Sequence, residues 1–207
     1  KVTQEAEVQL STQAVFASNT STLPITGLAQ ASARPQNFIG LHFFSPVDKM
    51  PLVEIICGEK TSDETLALAY DYVQQIGKIP IVVNDSRGFY TSRVFGTFAN
   101  EGIAMLGEGI PAAAIENAAF LTGFPVGPLA VTDEVSLTLV EKIRKQTMLD
   151  MAAEGKDFVH HPGEKTVDKM LAMERSGKLA GAGFYDYPKS DSKENKKKHL
   201  WAGLKDT

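Results

Sequence analysis

A chain of 207 residues, 43% hydrophobic and 22% charged, can bury a sizeable core and suits one large or two small domains. Its 21 basic against 25 acidic residues leave a net charge of −4, which gives no general attraction to nucleic acid or to an anionic membrane surface. The single cysteine, Cys57, excludes an internal disulfide, no apolar run approaches the roughly 18 residues of a membrane span, and no signal peptide is visible, so a reducing cytoplasm is expected.

The chain opens at Lys1-Val2 without an initiator methionine, in a helix-like stretch over 5–12, and a preceding segment is expected. Ala14 to Ser18 is an apolar run of strand length, Asn19 to Thr22 opens a loop, and Pro24 suits the first turn of a helix. Ser18 to Thr22 then stand at the carboxyl end of a strand, where open α/β sheets bind ligands. The same Ser/Thr cluster would serve as a helix cap.

From Ile39 to Gly58 the pattern is two strands joined by a turn that contains prolines, with His42 on the first strand and Glu54 on the second. If the strands lie side by side, their spacing brings carboxylate and imidazole together. A carboxylate on one ring nitrogen fixes the histidine tautomer and leaves the other nitrogen basic. Either residue alone would more often be structural.

Thr61-Ser-Asp-Glu64 has the form of a capping box ahead of a helix carrying Leu66, Ala69, Tyr70, Val73 and Ile76 at helical spacing, closed by Gly77. Ile79 to Val83 reads as a strand at a sheet edge, because Pro80 has no N–H for a ladder. Beyond Gly88 the pattern becomes helical. Phe89 to Leu106 carries Tyr90, Val94, Phe98 and Met105 on one stripe, and Pro111 opens a helix running through Phe120 to Gly123. Asp133 or Ser136 caps a long helix reaching Ala153, and a last helix covers 167–176. The expected class is α/β followed by all-α, with the boundary at 85–88. The basic run Lys193 to Lys198 reads as a solvated linker, and Trp201 has no evident role.

The runs Ala17-Ser-Asn-Thr-Ser-Thr-Leu-Pro-Ile-Thr26, Gly40-Leu-His-Phe-Phe-Ser-Pro-Val47, Leu52-Val-Glu-Ile55, Val83-Asn-Asp-Ser-Arg-Gly-Phe89 and Gly123-Phe-Pro-Val-Gly-Pro128 resemble the L-3-hydroxyacyl-CoA dehydrogenase family. More narrowly, they are similar to the dehydrogenase part of multifunctional bacterial β-oxidation enzymes. The resemblance implies NAD-dependent oxidation of a 3-hydroxyacyl-CoA, with His42 as base, Glu54 as its orienting acid, and Ser21 at the substrate hydroxyl and the nicotinamide. It divides the chain into the second half of a Rossmann-like NAD-binding domain over 1–86, a helical domain of dimerisation type over 87–188, and a linker or tail over 189–207. The helical domain implies a homodimer or a second helical repeat in the same chain as its partner.

Several positions depart from the family pattern. Ser92 stands where the family usually has Asn at the substrate carbonyl, and Ser45 where Asn often occurs. In Leu179-Ala-Gly-Ala-Gly-Phe-Tyr185 the family's lysine position falls on Leu179, and Lys178 is the neighbouring substitute on the cofactor side, together with Asn19, Ser21 and Ser45. No Gly-x-Gly-x-x-Gly occurs in the chain, so the resemblance implies that the first half of the cofactor domain is missing and that these residues alone bind NAD⁺ poorly. A silent assembly module is the competing reading of another class. A sugar-acid dehydrogenase would more naturally use a lysine base. A metal hydrolase finds no support, since His160 and His161 are adjacent and point differently.

Overall fold

The computed structural model describes residues 2–188 and 197–206, so residues 193–196 of the basic run lie outside the described residues. The chain divides into two compact units, Lys1–Phe95 and Gly96–Thr207.

The first unit contains α1 (Val2–Glu7), β1 (Phe16–Ser18), α2 (Ile25–Ala29), β2 (Phe38–Phe43), β3 (Leu52–Cys57), α3 (Asp63–Gln75) and β4 (Ile79–Asn84). The strands form one mixed sheet in the order β1-β2-β3-β4, parallel between β1 and β2, antiparallel between β2 and β3, and parallel between β3 and β4. Side chains alternate between sheet faces along β2 and β3. Ile39, Leu41, Val53 and Ile55 pack with Ala69 and Val73 of α3. Phe38 and Ile56 pack with Ile25 and Ala29 of α2 and with Phe89. That alternation assigns His42 and Glu54 to the same face as Phe38 and Ile56. At Gly40 the helix lies so close that an added Cβ would sit 2.8 Å from the Ile25 side chain.

The edge position expected for the strand with Pro80 is the one β4 takes. Other expectations shift. The first helix runs over Val2–Glu7 rather than 5–12, and Glu7 accepts from Ser32 and from Ala33 N. The cap of α3 is Ser62, which accepts from Thr65 N at 3.2 Å, whereas the Thr61 hydroxyl donates to Phe38 O at 2.6 Å. The buried stripe of α3 is Thr65, Ala69 and Val73, while Tyr70 and Ile76 are exposed.

Helix α4 (Thr91–Gly107) begins in the first unit and continues into the second. The second unit also holds α5 (Ala112–Leu121), α6 (Pro128–Val135), α7 (Leu137–Ala153), α8 (Glu164–Ala172), β5 (Tyr185–Asp186) and β6 (His199–Leu200). Its core gathers Ile103, Leu129, Leu137, Met170, Phe184 and Leu204. On α4 the expected stripe is overturned: Val94 and Met105 are exposed, and Ala99, Gly102, Ile103 and Leu106 are buried. The reason is close packing, since an added Cβ on Gly102 would lie 2.4 Å from Pro128 Cγ.

Of the two starts expected for the long helix reaching Ala153, Ser136 is the one taken: α7 runs Leu137–Ala153 with Ser136 at its N-cap position, at φ 86° and with no side-chain cap bond, and α6 precedes it. Asp133 therefore lies inside α6, not at a cap. Its carboxylate accepts from Phe184 N at 2.8 Å, Tyr185 N at 2.9 Å and Tyr187 Oη at 3.1 Å. Burial pushes its pKa up, and the amide and phenol bonds pull against that rise. The last helix starts earlier than expected, at Glu164. Residues 197–206 of the expected tail are also part of this unit: β6 pairs with β5, Leu204 is buried, and Trp201 N donates to Phe184 O at 2.9 Å. Trp201 thereby gains a role, with the Arg175 guanidinium 4.1 Å above its ring.

Candidate active site

The register of β2 and β3 sets His42 directly across from Glu54. The Nδ1 atom of His42 lies 2.6 Å from Glu54 Oε2, with Glu54 0% exposed and His42 7% exposed. A buried carboxylate is costly unless donors surround it. Helix α4 supplies them. Gly88 and Phe89 take left-handed φ values of 75° and 47°, the latter a strained choice for a bulky residue, and the chain then enters α4. Tyr90 N and Thr91 N donate to Glu54 Oε1 at 3.1 and 2.8 Å, and Thr91 Oγ1 donates to Oε2 at 2.7 Å. A helix N-terminus favours an anion by the same free amides and by its dipole.

Two backbone amides and the Thr91 hydroxyl thus donate to Glu54, and a carboxylate has the acceptor sites for all of them. A ring hydrogen on His42 Nδ1 would point at that carboxylate and leave Nε2 with its lone pair. The Phe44 ring lies 4.4 Å from the imidazole, centroid to centroid, and Phe89 6.1 Å. Aromatic walls restrict how the ring can turn.

The loop after β1 is held from three sides. Asn19 Oδ1 accepts from Phe43 N at 2.9 Å, Gly88 N donates to Thr22 O at 3.1 Å, and Ser92 Oγ donates to Ser21 O at 3.2 Å. The cap of α2 comes from Asp85, which accepts from Ile25 N and Thr26 N, each at 2.8 Å, and from the Thr26 hydroxyl at 2.5 Å. Pro24 at the N-cap position makes no side-chain cap bond. The Ser/Thr cluster is therefore not the cap of α2, although Thr20 Oγ1 accepts from Leu23 N at 3.1 Å within the loop.

The structure joins His42 with Glu54 and Ser92 with Ser21. Ser45 is exposed in the segment after β2. Lys178 belongs to the second unit, where its ammonium pairs with Glu134 at 3.0 Å. Sequence reasoning missed Thr91; its one signal was a hydroxyl residue beside Ser92 at the start of a helix. For NAD⁺, the Ser21 hydroxyl and the Asn19 amide nitrogen are groups that suit a nicotinamide carboxamide. Among the described residues, the first amides of α2 are taken by Asp85 and those at the start of α4 by Glu54, so these two helix starts are not open to a pyrophosphate.

Comparison with known proteins bears on the same residues. Residues 1–86 match the 3-hydroxyacyl-CoA dehydrogenase NAD binding domain, and residues 88–187 match the 3-hydroxyacyl-CoA dehydrogenase C-terminal domain. The fatty acid oxidation complex subunit alpha of Shewanella amazonensis is 41% identical over 196 residues, 95% of this chain and 27% of that protein. The chain therefore spans about a quarter of the length of the curated relatives it matches. Among solved structures, (S)-3-hydroxybutyryl-CoA dehydrogenase PaaH1 from Ralstonia eutropha superposes with a TM-score of 0.80 at 34% identity, covering 91% of this chain and 65% of that one. FadB2 of M. tuberculosis gives a TM-score of 0.80 at 28% identity, over 90% of this chain and 65% of that one. With both halves of the family's sequence pattern present in order, the chain belongs to the 3-hydroxyacyl-CoA dehydrogenase family.

Proposed function

We propose that the protein carrying this chain oxidises an L-3-hydroxyacyl-CoA to the 3-ketoacyl-CoA in fatty acid β-oxidation. The observation that carries the reading is the 2.6 Å contact between His42 Nδ1 and Glu54 Oε2, built by cross-strand register and held by α4. NAD⁺, when bound, supplies the acceptor for the hydride leaving C3 of the substrate.

His42 takes the hydroxyl proton at Nε2. The imidazolium that forms is stabilised through Nδ1–H by the Glu54 carboxylate, which also keeps the ring from turning. Ser21 offers a hydroxyl to the substrate oxygen, and Ser92 stands at the position that meets the thioester-side carbonyl in the family. Of the residues that the resemblance assigns to the cofactor, Asn19 and Ser45 stand with Ser21 in the first unit. Lys178 is the one whose ammonium already has a protein partner. Residues 1–86 act as the second half of the cofactor domain and 87–188 as a helical partner-binding domain. Exposed Met105, Phe120 and Leu121 support that last assignment, whether the partner is a second copy or a further helical repeat. A cytoplasmic location accords with the bacterial fatty acid oxidation relatives.

The test is NADH formation from a 3-hydroxyacyl-CoA by the protein that carries these residues. His42→Gln is expected to lower kcat by about 10²–10⁴ with little change in KM. Wild-type kcat in that variant would overturn the assignment.

A further inference from the structure

We propose that Thr91 is a positioning residue for the His42–Glu54 pair, through its hydroxyl bond to the same carboxylate oxygen that receives the imidazole. The proposal rests on the catalytic reading of that pair. The two backbone amides, Tyr90 N and Thr91 N, both bind Glu54 Oε1, and the Thr91 hydroxyl is the bond from α4 that reaches Oε2. Amides on one oxygen alone leave the carboxylate free to swing about that oxygen. A second anchor on the other oxygen fixes the plane, and with it the point to which Nδ1 donates.

The geometry is tight on both sides. Oε2 receives His42 at 2.6 Å and Thr91 Oγ1 at 2.7 Å, and the carboxylate is closed off from solvent. The hydroxyl and the amide of one residue therefore straddle both oxygens of Glu54. Thr91 stands at the first turn of a 17-residue helix, a site where a serine or threonine ordinarily turns its hydroxyl on the helix's own amides. Here it reaches instead across 37 positions of sequence to a strand. The next residue, Ser92, reaches back to Ser21 O, so one turn of α4 sets both the acid and the substrate loop.

Two readouts test this. In the proton NMR spectrum of the 207-residue chain, the His42 Nδ1–H line is assigned by its disappearance in His42→Gln. Thr91→Val, which keeps the shape and both amide bonds, is expected to broaden that line and to speed its exchange with water several-fold, while Thr91→Ser retains the wild-type line. Thr91→Ala serves as the second probe should the valine variant not fold. In the active protein, Thr91→Val is expected to lower kcat about tenfold, the effect of ~1.4 kcal/mol on a barrier, with KM within about twofold, and Thr91→Ser to restore it. A folded Thr91→Val or Thr91→Ala protein with the wild-type line and exchange rate overturns the proposal. The spectroscopic result stands even if the dehydrogenase reading fails, because it needs no turnover.

Discussion

Tyr185 donates its phenol to Glu116 at 2.7 Å, across 69 positions of sequence, and the same carboxylate accepts Leu129 N at 2.8 Å. One buried acid thus ties α5 to the start of α6 and to β5. Tyr185→Phe removes the donor to Glu116 Oε2 and is expected to cost about 1–3 kcal/mol, the penalty of an unpaired buried group. Thermal melts should fall by about 2–4 °C for each kcal/mol in a chain of this size.

Alkaline stability follows from the same network. Burial first, then the neighbouring carboxylates, push the pKa of both Tyr185 and Tyr187 well above the ordinary phenol range. The folded state binds these protons more tightly than the unfolded state. Their contribution is intact below the ordinary value near 10.0 and is lost as pH climbs through the raised values. Spectrophotometric titration is expected to show a late tyrosinate step that accompanies unfolding, and Tyr185→Phe with Tyr187→Phe should abolish it.

Two glycines on α4 are expected to respond oppositely to alanine. At Gly102 an added Cβ meets Pro128 Cγ at 2.4 Å, and Gly102→Ala should destabilise by about 1–3 kcal/mol through overpacking. At Gly96 an added Cβ would meet nothing within 4 Å beyond the backbone of its own helix, and Gly96→Ala should stabilise by about 0.5–1 kcal/mol through helix propensity. Chemical denaturation of the two variants gives the comparison.

For the cofactor, the 207 residues alone are expected to bind NAD⁺ weakly, because the sequence holds no glycine fingerprint and the helix starts of α2 and α4 are occupied by Asp85 and Glu54. Calorimetric titration should show no saturable binding at micromolar cofactor; tight binding would require another pyrophosphate site on this chain.

Legibility in the sequence tracked the range of the interaction. The alternation along β2 and β3 was visible because strand period is local, and it carried His42 and Glu54 to one face. The edge position of β4 followed from Pro80 for the same reason. Thr91 was not legible, since its partner is reached only once α4 has docked beside β3. The stripe on α4 misled because apolar periodicity favours large residues such as Val94 and Met105, whereas the buried face is made of Ala99 and Gly102, chosen for closeness. The choice between Asp133 and Ser136 as the start of α7 was hidden too: Asp133 looks like a cap in one dimension, and only the distant amides of Phe184 and Tyr185 show its real use. The boundary over 85–88 was read where strand–helix alternation gives way to helices, and the first turn of α4, which lies in the unit Lys1–Phe95, turns its amides to Glu54.

Position 54 answers to two masters, an imidazole across the hairpin and the head of the first long helix. Acid chemistry and chain architecture are welded there, so replacing that glutamate would unseat the helix as well as the histidine. Interrogating the reaction from residue 42, whose ring can be exchanged without uprooting any main-chain partner, keeps the two questions separate.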